Sequence, residues 1–203
     1  MNMLPLVAIY RGVEPREAAA MAGAAHGAGF RILEVPLNSP APFESIRLIA
    51  TAFPDALVGA GTVMTAGDVD AVAAAGGTLI VMPHADTEIV RAAKANGLIC
   101  VPGVATPTEA FAALAAGADG LKVFPAEGIP PAVVKAWSAV IPAHVPMIPV
   151  GGIDADAEKM AAYLAAGASG FGLGSALFKP GVSVAQVVRN AESFVAALRA
   201  AQA

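Results

Sequence analysis

Apolar and polar positions along the chain alternate in blocks rather than residue by residue. Alanine-rich stretches of helical character give way to a glycine and then to a continuous apolar run of strand length. Five segments carry this unit: 24–35 (AAHGAGFRILEV), 73–83 (AAAGGTLIVMP), 93–103 (AKANGLICVPG), 114–125 (LAAGADGLKVFP) and 164–175 (LAAGASGFGLGS). Their glycines, Gly29, Gly76, Gly97, Gly117 and Gly167, lie 47, 21, 20 and 50 residues apart. Those gaps read as about two, one, one and two copies of a unit of roughly twenty to twenty-five residues. Each glycine falls where a helix end needs a left-handed residue. Each run that follows is apolar throughout, which suits a parallel strand covered by helices. Eight strands are predicted, near Leu6–Ile9, Ile32–Val35, Leu57–Gly61, Leu79–Val81, Leu98–Val101, Gly120–Val123, Met147–Val150 and Gly170–Leu173. Helical patterns separate them, several opened by a capping residue or a first-turn proline, as at Glu14-Pro15, Thr106-Pro107 and Asp154. Strand and helix in alternation mean an α/β fold with a parallel sheet. Eight units within 203 residues predict a single small (β/α)8 TIM barrel over residues 1–203, with a doubly wound open sheet as the alternative.

Composition narrows the function classes. Hydrophobic residues make up 57% of the chain and charged ones 14%, which excludes a disordered, solvating polymer. The net charge is −4 and no basic run exists, so a nucleic-acid partner is not expected. One cysteine, Cys100, excludes an intramolecular disulfide and a multi-cysteine metal site, and its place in a strand suits a small core residue. The uncharged stretch from Ala71 to Pro83 is too short to span a membrane and is broken by Gly76 and Gly77. Residues Met1 to Tyr10 lack the positive start of a secretion signal. The expectation is a soluble, cytoplasmic domain with no membrane partner.

Candidate chemistry gathers at the strand ends. Two glycine turns follow the seventh and eighth strands, Gly151-Gly152-Ile153-Asp154 and Gly172-Leu173-Gly174-Ser175. In a barrel those two loops commonly bind phosphate, because glycine lets backbone N–H groups approach an anion closely. A dinucleotide fingerprint would need glycine where Leu177 stands. The plainer alternative is that these glycines only turn the chain. Of five lysines, Lys122 alone lies inside a strand, and neither face of a closed barrel welcomes an unpaired ammonium. Burial lowers a lysine pKa and frees the amine to attack a carbonyl. Glu34 is the matching glutamate, at the C-terminal end of the second strand, where barrel enzymes place catalytic groups. A structural Glu34–Lys122 ion pair without chemistry would place the same residues close together. Arg11 and Thr62 end the first and third strands and belong to the same rim, as substrate contacts or as a rim salt bridge and a turn residue. His84 follows the fourth strand and is placed at the mouth. His26, His84 and His144 lack the spacing of a zinc site, so no metal is expected.

Taken together, Ile9-Tyr10-Arg11-Gly12, Glu34 to Ser39, Gly59 to Val63, Val101-Pro102-Gly103, Leu121 to Glu127, Val150 to Ile153 and Gly172 to Ser175 resemble the class I aldolases of 2-keto-3-deoxy-6-phospho sugar acids. The resemblance covers nearly the whole chain. It implies a small (β/α)8 barrel, usually a homotrimer, that works without metal or other cofactor on a phosphorylated sugar acid and releases pyruvate. It assigns the Schiff base to Lys122 and proton transfer to Glu34. It places phosphate at Gly151, Gly152, Gly174 and Ser175 and gives Arg11 and Thr62 to substrate binding. Members acting on the gluconate isomer usually read Glu-Val-Thr-Leu-Arg-Thr around the glutamate and Thr-Gly-Gly after the seventh strand. Here the chain reads Glu34-Val35-Pro36-Leu37-Asn38-Ser39 and Val150-Gly151-Gly152. Both stretches resemble the galactonate-specific branch. The implied reaction is cleavage of the galactonate isomer to pyruvate and glyceraldehyde 3-phosphate. The gluconate isomer, dual specificity, a metal-dependent aldolase and a noncatalytic phospho-sugar binding module remain alternatives at this point.

Overall fold

The structure, a computed structural model, describes residues 4–203, so residues 1–3 of the stretch read above for a secretion signal lie outside it. The described strands are β1 (Leu6–Ile9), β2 (Ile32–Pro36), β3 (Leu57–Gly61), β4 (Leu79–Val81), β5 (Ile99–Val101), β6 (Gly103–Val104), β7 (Leu121–Val123), β8 (Met147–Pro149) and β9 (Phe171–Leu173). Eight α-helices alternate with them: α1 (Pro15–Gly27), α2 (Pro42–Ala52), α3 (Ala66–Ala74), α4 (Thr87–Ala95), α5 (Pro107–Ala115), α6 (Pro131–Ser138), α7 (Ala157–Ala165) and α8 (Val184–Ala201).

Every strand pair is parallel. The ladder runs β5-β4-β3-β2-β1-β9 in one arc and β6-β7-β8 in the other. Two seams join the arcs. At one, Val150 bridges Gly172 and the Ser169 amide donates to the Met147 carbonyl at 2.8 Å. At the other, Asp119 N–H donates to Cys100 O at 3.0 Å and Lys122 N–H to Pro102 O at 2.9 Å. The ring is therefore closed, and the open doubly wound sheet is excluded. β5 and β6 are two halves of one barrel strand. The sequence pattern ended that strand at Val101, but pairing with β7 resumes at Gly103 and Val104. Pro102 causes the interruption, because it has no N–H to give to the ladder.

All five repeat glycines adopt positive φ, from +70° at Gly97 to +107° at Gly29. At α1 the Gly29 N–H donates to His26 O and the Phe30 N–H to Ala25 O, the paired bonds of a Schellman end. Glu14 and Thr106 cap α1 and α5 as the sequence predicts, each in a capping box. Asp154 does not cap α7. The loop runs two residues further, and Asp156 accepts from the amides of Glu158 and Lys159. His26 bonds Asp55, and the His84 carbonyl accepts from Gly103 N–H; His84 is not among the residues lining the upper chamber described below. Cys100 is wholly buried, and burial first, with Asp119 adding, pushes its thiol up to about 12.

Outward-facing strand residues such as Leu6, Ala8, Leu33, Val35, Leu121 and Val123 are fully buried beneath the helices. The opposite side chains point into the barrel. Many of these are small, so a chamber of about 330 Å³ survives inside, walled mainly by Val7, Ile9, Leu57, Val81, Val101 and Ile148. No helix among the described residues is long and apolar enough to cross a membrane.

Glycine substitutions should separate the two structural demands. At Gly97 a methyl would meet nothing within 4 Å but must adopt φ of +70°, so Gly97→Ala should cost ~1–2 kcal/mol. At Gly59 a methyl would overlap the Leu79 carbonyl of the neighbouring strand, so Gly59→Ala should cost about 3 kcal/mol or more. Urea midpoints for the two variants check the order. Equal losses would contradict the packing argument.

Candidate active site

Lys122 lies between Leu121 and Val123, whose side chains face the helices, so its own side chain faces the interior. Glu34 lies in β2 between Ile9 of β1 and Gly59 of β3 in register. Around the ring, three strands separate β2 from β7 on one side through β1, β9 and β8. The two side chains therefore meet across the barrel rather than along a ladder. Lys122 is 4% exposed and Glu34 2%. Gly61 makes room for the glutamate, since a methyl there would overlap its carboxylate. The lysine ammonium stands 4.6 Å from the centre of the Phe124 ring, with a cation–π attraction available to its charged form.

Burial dominates the ionisation of both groups. It lowers the Lys122 amine below the ordinary lysine range; Glu34 opposes that change and Arg11 adds to it. It raises the Glu34 carboxyl above the ordinary range, against the attraction of Lys122 and Arg11. The ion pairs within 4.0 Å among the described residues do not include Lys122 with Glu34. Burial thus shifts each group toward its neutral form, and the two do not close a salt bridge.

Above this pair the strands' C-terminal ends open into a second chamber of about 350 Å³. Arg11, Gly151, Gly152, Gly174 and Ser175 line it together with Lys122 and Glu34. The amides of Gly152, Gly174 and Ser175 donate to no protein acceptor among the described residues, whereas that of Gly151 belongs to the Val150–Gly172 bridge. Gly151 and Gly152 adopt φ of +103° and +59°, conformations that glycine reaches without strain. Lys159 of α7 donates to the Gly152 carbonyl, and the Glu127 side chain lies against both glycines where Cβ atoms would collide with it. The open N–H groups are suited to an anion.

Thr62 is placed differently from the other expected residues. Its hydroxyl accepts from Arg11 Nη2 at 3.4 Å, and it does not line the upper chamber. Its φ of +57° is rare for a β-branched residue. Arg11 also donates to Asn38 Oδ1 at 2.6 Å, so Asn38 and Thr62 both orient the guanidinium. Asn38, Glu127, Phe124 and Lys179, none of them a site candidate from the sequence, also line or orient the mouth. Asn38 and Glu127 sit inside motifs quoted above, four and five residues from Glu34 and Lys122, but only the folded loops show where they point. Among the described residues no group of three or more metal-binding side chains converges.

The chain resembles known proteins over nearly its whole length. The family model for KDPG and KHG aldolases matches residues 1–197. The chain is 46% identical over 199 residues to 2-dehydro-3-deoxy-6-phosphogalactonate aldolase of Escherichia coli strain K12, covering 98% of this chain and 96% of the relative. It is 45% identical over 194 residues to a probable 2-dehydro-3-deoxy-6-phosphogalactonate aldolase of Rhizobium meliloti strain 1021, covering 95% and 91%. A solved structure described as native KDPGal superposes with a TM-score of 0.95 at 45% identity, covering 100% of this chain and 98% of that one.

The electrostatics of the pair can be tested without turnover. NMR of isotope-labelled lysine should place the Lys122 midpoint below the ordinary value of about 10.4. Glu34→Gln removes the one neighbouring charge that raises that midpoint and leaves burial and Arg11, which both lower it. The Lys122 midpoint should therefore move further down in Glu34→Gln. An upward movement would show that Glu34 does not act on the lysine as a neighbouring negative charge, and a midpoint at or above the ordinary value in the unaltered protein would show that burial is not the dominant influence.

Proposed function

The chain belongs to the KDPG and KHG aldolase family, and on that footing we propose that it is a class I aldolase cleaving 2-dehydro-3-deoxy-6-phosphogalactonate to pyruvate and glyceraldehyde 3-phosphate. One observation carries the mechanism: a lysine 4% exposed and a glutamate 2% exposed face one another inside the barrel, beneath a mouth of open backbone amides. A neutral Lys122 attacks the C2 ketone and water leaves, giving a protonated imine. Glu34, through a water, takes the proton of the C4 hydroxyl. The C3–C4 bond breaks, its electrons pass to the imine to form an enamine, and the C4 fragment leaves as the aldehyde. Glu34 then returns the proton to C3, and water hydrolyses the imine to release pyruvate and the free amine. One carboxyl serves both steps because they alternate base and acid. The turns at Gly151-Gly152 and Gly174-Ser175 hold the phosphate, through the open amides of Gly152, Gly174 and Ser175, and so orient the distant bond. Arg11, steadied by Thr62 and Asn38, binds the substrate's anionic end. The working assembly is a homotrimer.

The substrate isomer rests on the wall beside the reacting carbon. Val150 is 8% exposed and lines both chambers next to Lys122. Its methyl groups offer no hydrogen bond to a C4 hydroxyl directed at them, whereas the galactonate configuration directs that hydroxyl elsewhere. Relatives with 45–46% identity carry the galactonate name.

Three experiments test this reading. Borohydride reduction with pyruvate should fix one pyruvyl group on Lys122, read by peptide mass mapping; an adduct elsewhere removes Lys122 from its role. Lys122→Arg should abolish turnover, and Glu34→Gln should lower kcat by on the order of 10²–10⁴. Assayed side by side through pyruvate release, the galactonate epimer should exceed the gluconate epimer in kcat/KM by on the order of tenfold or more. Val150→Thr, nearly equal in volume, should shift that ratio toward the gluconate epimer. Preference for the gluconate epimer in the unaltered protein would overturn the substrate and leave the imine chemistry intact.

A further inference from the structure

The formal charges around the mouth balance: Arg11, Lys122 and Lys179 against Glu34, Glu127 and Asp154. A phosphate monoester adds about −1.5 to −2 at neutral pH, so the mouth needs a cation to receive it. Backbone amides supply direction but no net charge. Lys122 is buried below and reserved for the imine. Arg11 is held by Asn38 and Thr62 on the loops after β1, β2 and β3. Lys159 is engaged with the Gly152 carbonyl. Arg11 and Lys179 are the exposed lining cations and neither makes an ion pair within 4.0 Å among the described residues, but Arg11 is hydrogen-bonded to Asn38 and Thr62 whereas the Lys179 ammonium has no hydrogen-bond partner there.

The backbone that carries Lys179 is anchored on both sides. Phe178 is 3% exposed and packs edge-on against Tyr10 with ring centres 5.6 Å apart. Pro180 lies against Gly12, where a methyl would come within 2.8 Å of the proline ring. The Phe178 amide donates to the Gly174 carbonyl at 3.0 Å, which ties this stretch to the open turn at Gly174 and Ser175. The Lys179 carbonyl accepts from Val182 N–H at 3.1 Å. A flexible, unpartnered ammonium is thus fixed by its root beside amides that themselves lack acceptors.

We infer that Lys179 binds the substrate's phosphate, supplying the positive charge that the glycine turns lack. The inference rests on the aldolase reading for the identity of the substrate, but not for the presence of an anion at these loops. Lys179 takes no part in bond breaking. Its loss therefore acts on binding of phosphorylated molecules and not on chemistry at Lys122.

The experiment compares the unaltered protein with Lys179→Ala and Lys179→Arg. Readouts are KM and kcat for the phosphorylated sugar acid, binding of inorganic phosphate, and borohydride trapping of pyruvate, which carries no phosphate. A charge-assisted hydrogen bond corresponds to roughly a tenfold to hundredfold change in affinity. Lys179→Ala should raise KM and weaken inorganic phosphate binding by that factor, with kcat and pyruvate trapping nearly unchanged. Lys179→Arg should recover most of the loss, and added salt should weaken phosphate binding less in Lys179→Ala than in the unaltered protein. Unchanged KM and phosphate binding in Lys179→Ala would overturn the inference. Loss of pyruvate trapping together with phosphate binding would also overturn it, by showing that the lysine supports the fold of the site. A protein that traps no pyruvate yet loses phosphate binding in Lys179→Ala would refute the aldolase chemistry and leave Lys179 as the phosphate cation.

Discussion

Two ionisable side chains enter one small apolar space from opposite walls, and much of the barrel is arranged around that confrontation. Lys122 and Glu34 sit on strands that are far apart around the ring, so no ladder pairing brings them together. Their meeting depends on closure of the sheet. Closure also removes the water that would otherwise solvate both charges. An unpaired buried ammonium or carboxylate is costly, and each group responds by shifting toward its neutral form. Full ion pairing would quench the amine. The observed separation leaves each group within the other's field without a contact under 4.0 Å among the described residues. Arg11 works on both at once, favouring the carboxylate and disfavouring the ammonium.

Room for that arrangement comes from missing side chains. Gly61 faces the Glu34 carboxylate, and Gly172 leaves space for the Val150 methyl groups at the seam between β8 and β9. Gly103 passes so close to the Pro83 backbone that a methyl would lie 2.5 Å from its carbonyl carbon. This is also where the barrel strand restarts after Pro102. The strand break and the glycine belong together. Pro102 keeps its carbonyl in play, accepting from the Lys122 amide, while its ring ends one ladder and Gly103 begins the next. Lys122 is thereby fixed through the same seam that closes the sheet.

Much of this was legible in the sequence because it depends on local rules. The helix-end glycines have a local cause, a left-handed residue that closes a Schellman end, and the apolar runs after them mark parallel strands. Lys122 and Glu34 stood out because charge inside an apolar strand is costly in any closed α/β fold. Three features escaped for a common reason: they depend on distances between loops that no spacing encodes. Asp156 rather than Asp154 caps α7 because the preceding glycine turn is longer than a minimal connection. Thr62 reaches the site only by way of Arg11. The continuation of the fifth barrel strand beyond Pro102 reflects a partner, β7, that lies downstream in the chain, and proline at that position reads as an end.

Recognition at this mouth divides by the kind of atom that performs it. The turns at Gly151-Gly152 and Gly174-Ser175 present backbone amides, and backbone amides read negative charge without reading sugar configuration. In the proposed reaction the buried pair meets the ketone and the hydroxyl proton that must leave. The phosphate and the ketone are common to both C4 epimers, so discrimination rests on the groups around the C4 hydroxyl. On the proposed reading Val150 stands among them, adjoining Gly151 on the chain and lining both chambers with Lys122 and Glu34. Its position also explains why an apolar side chain there is structurally tolerated. One face packs on Gly172 at the barrel seam, with its amide donating to Val123 O at 3.0 Å and its carbonyl accepting from Ala126 at 2.9 Å, while the other borders the cavity. A residue pinned through its backbone in this way can change its side chain without moving the strand, so stereochemical preference is separable from both the fold and the imine chemistry.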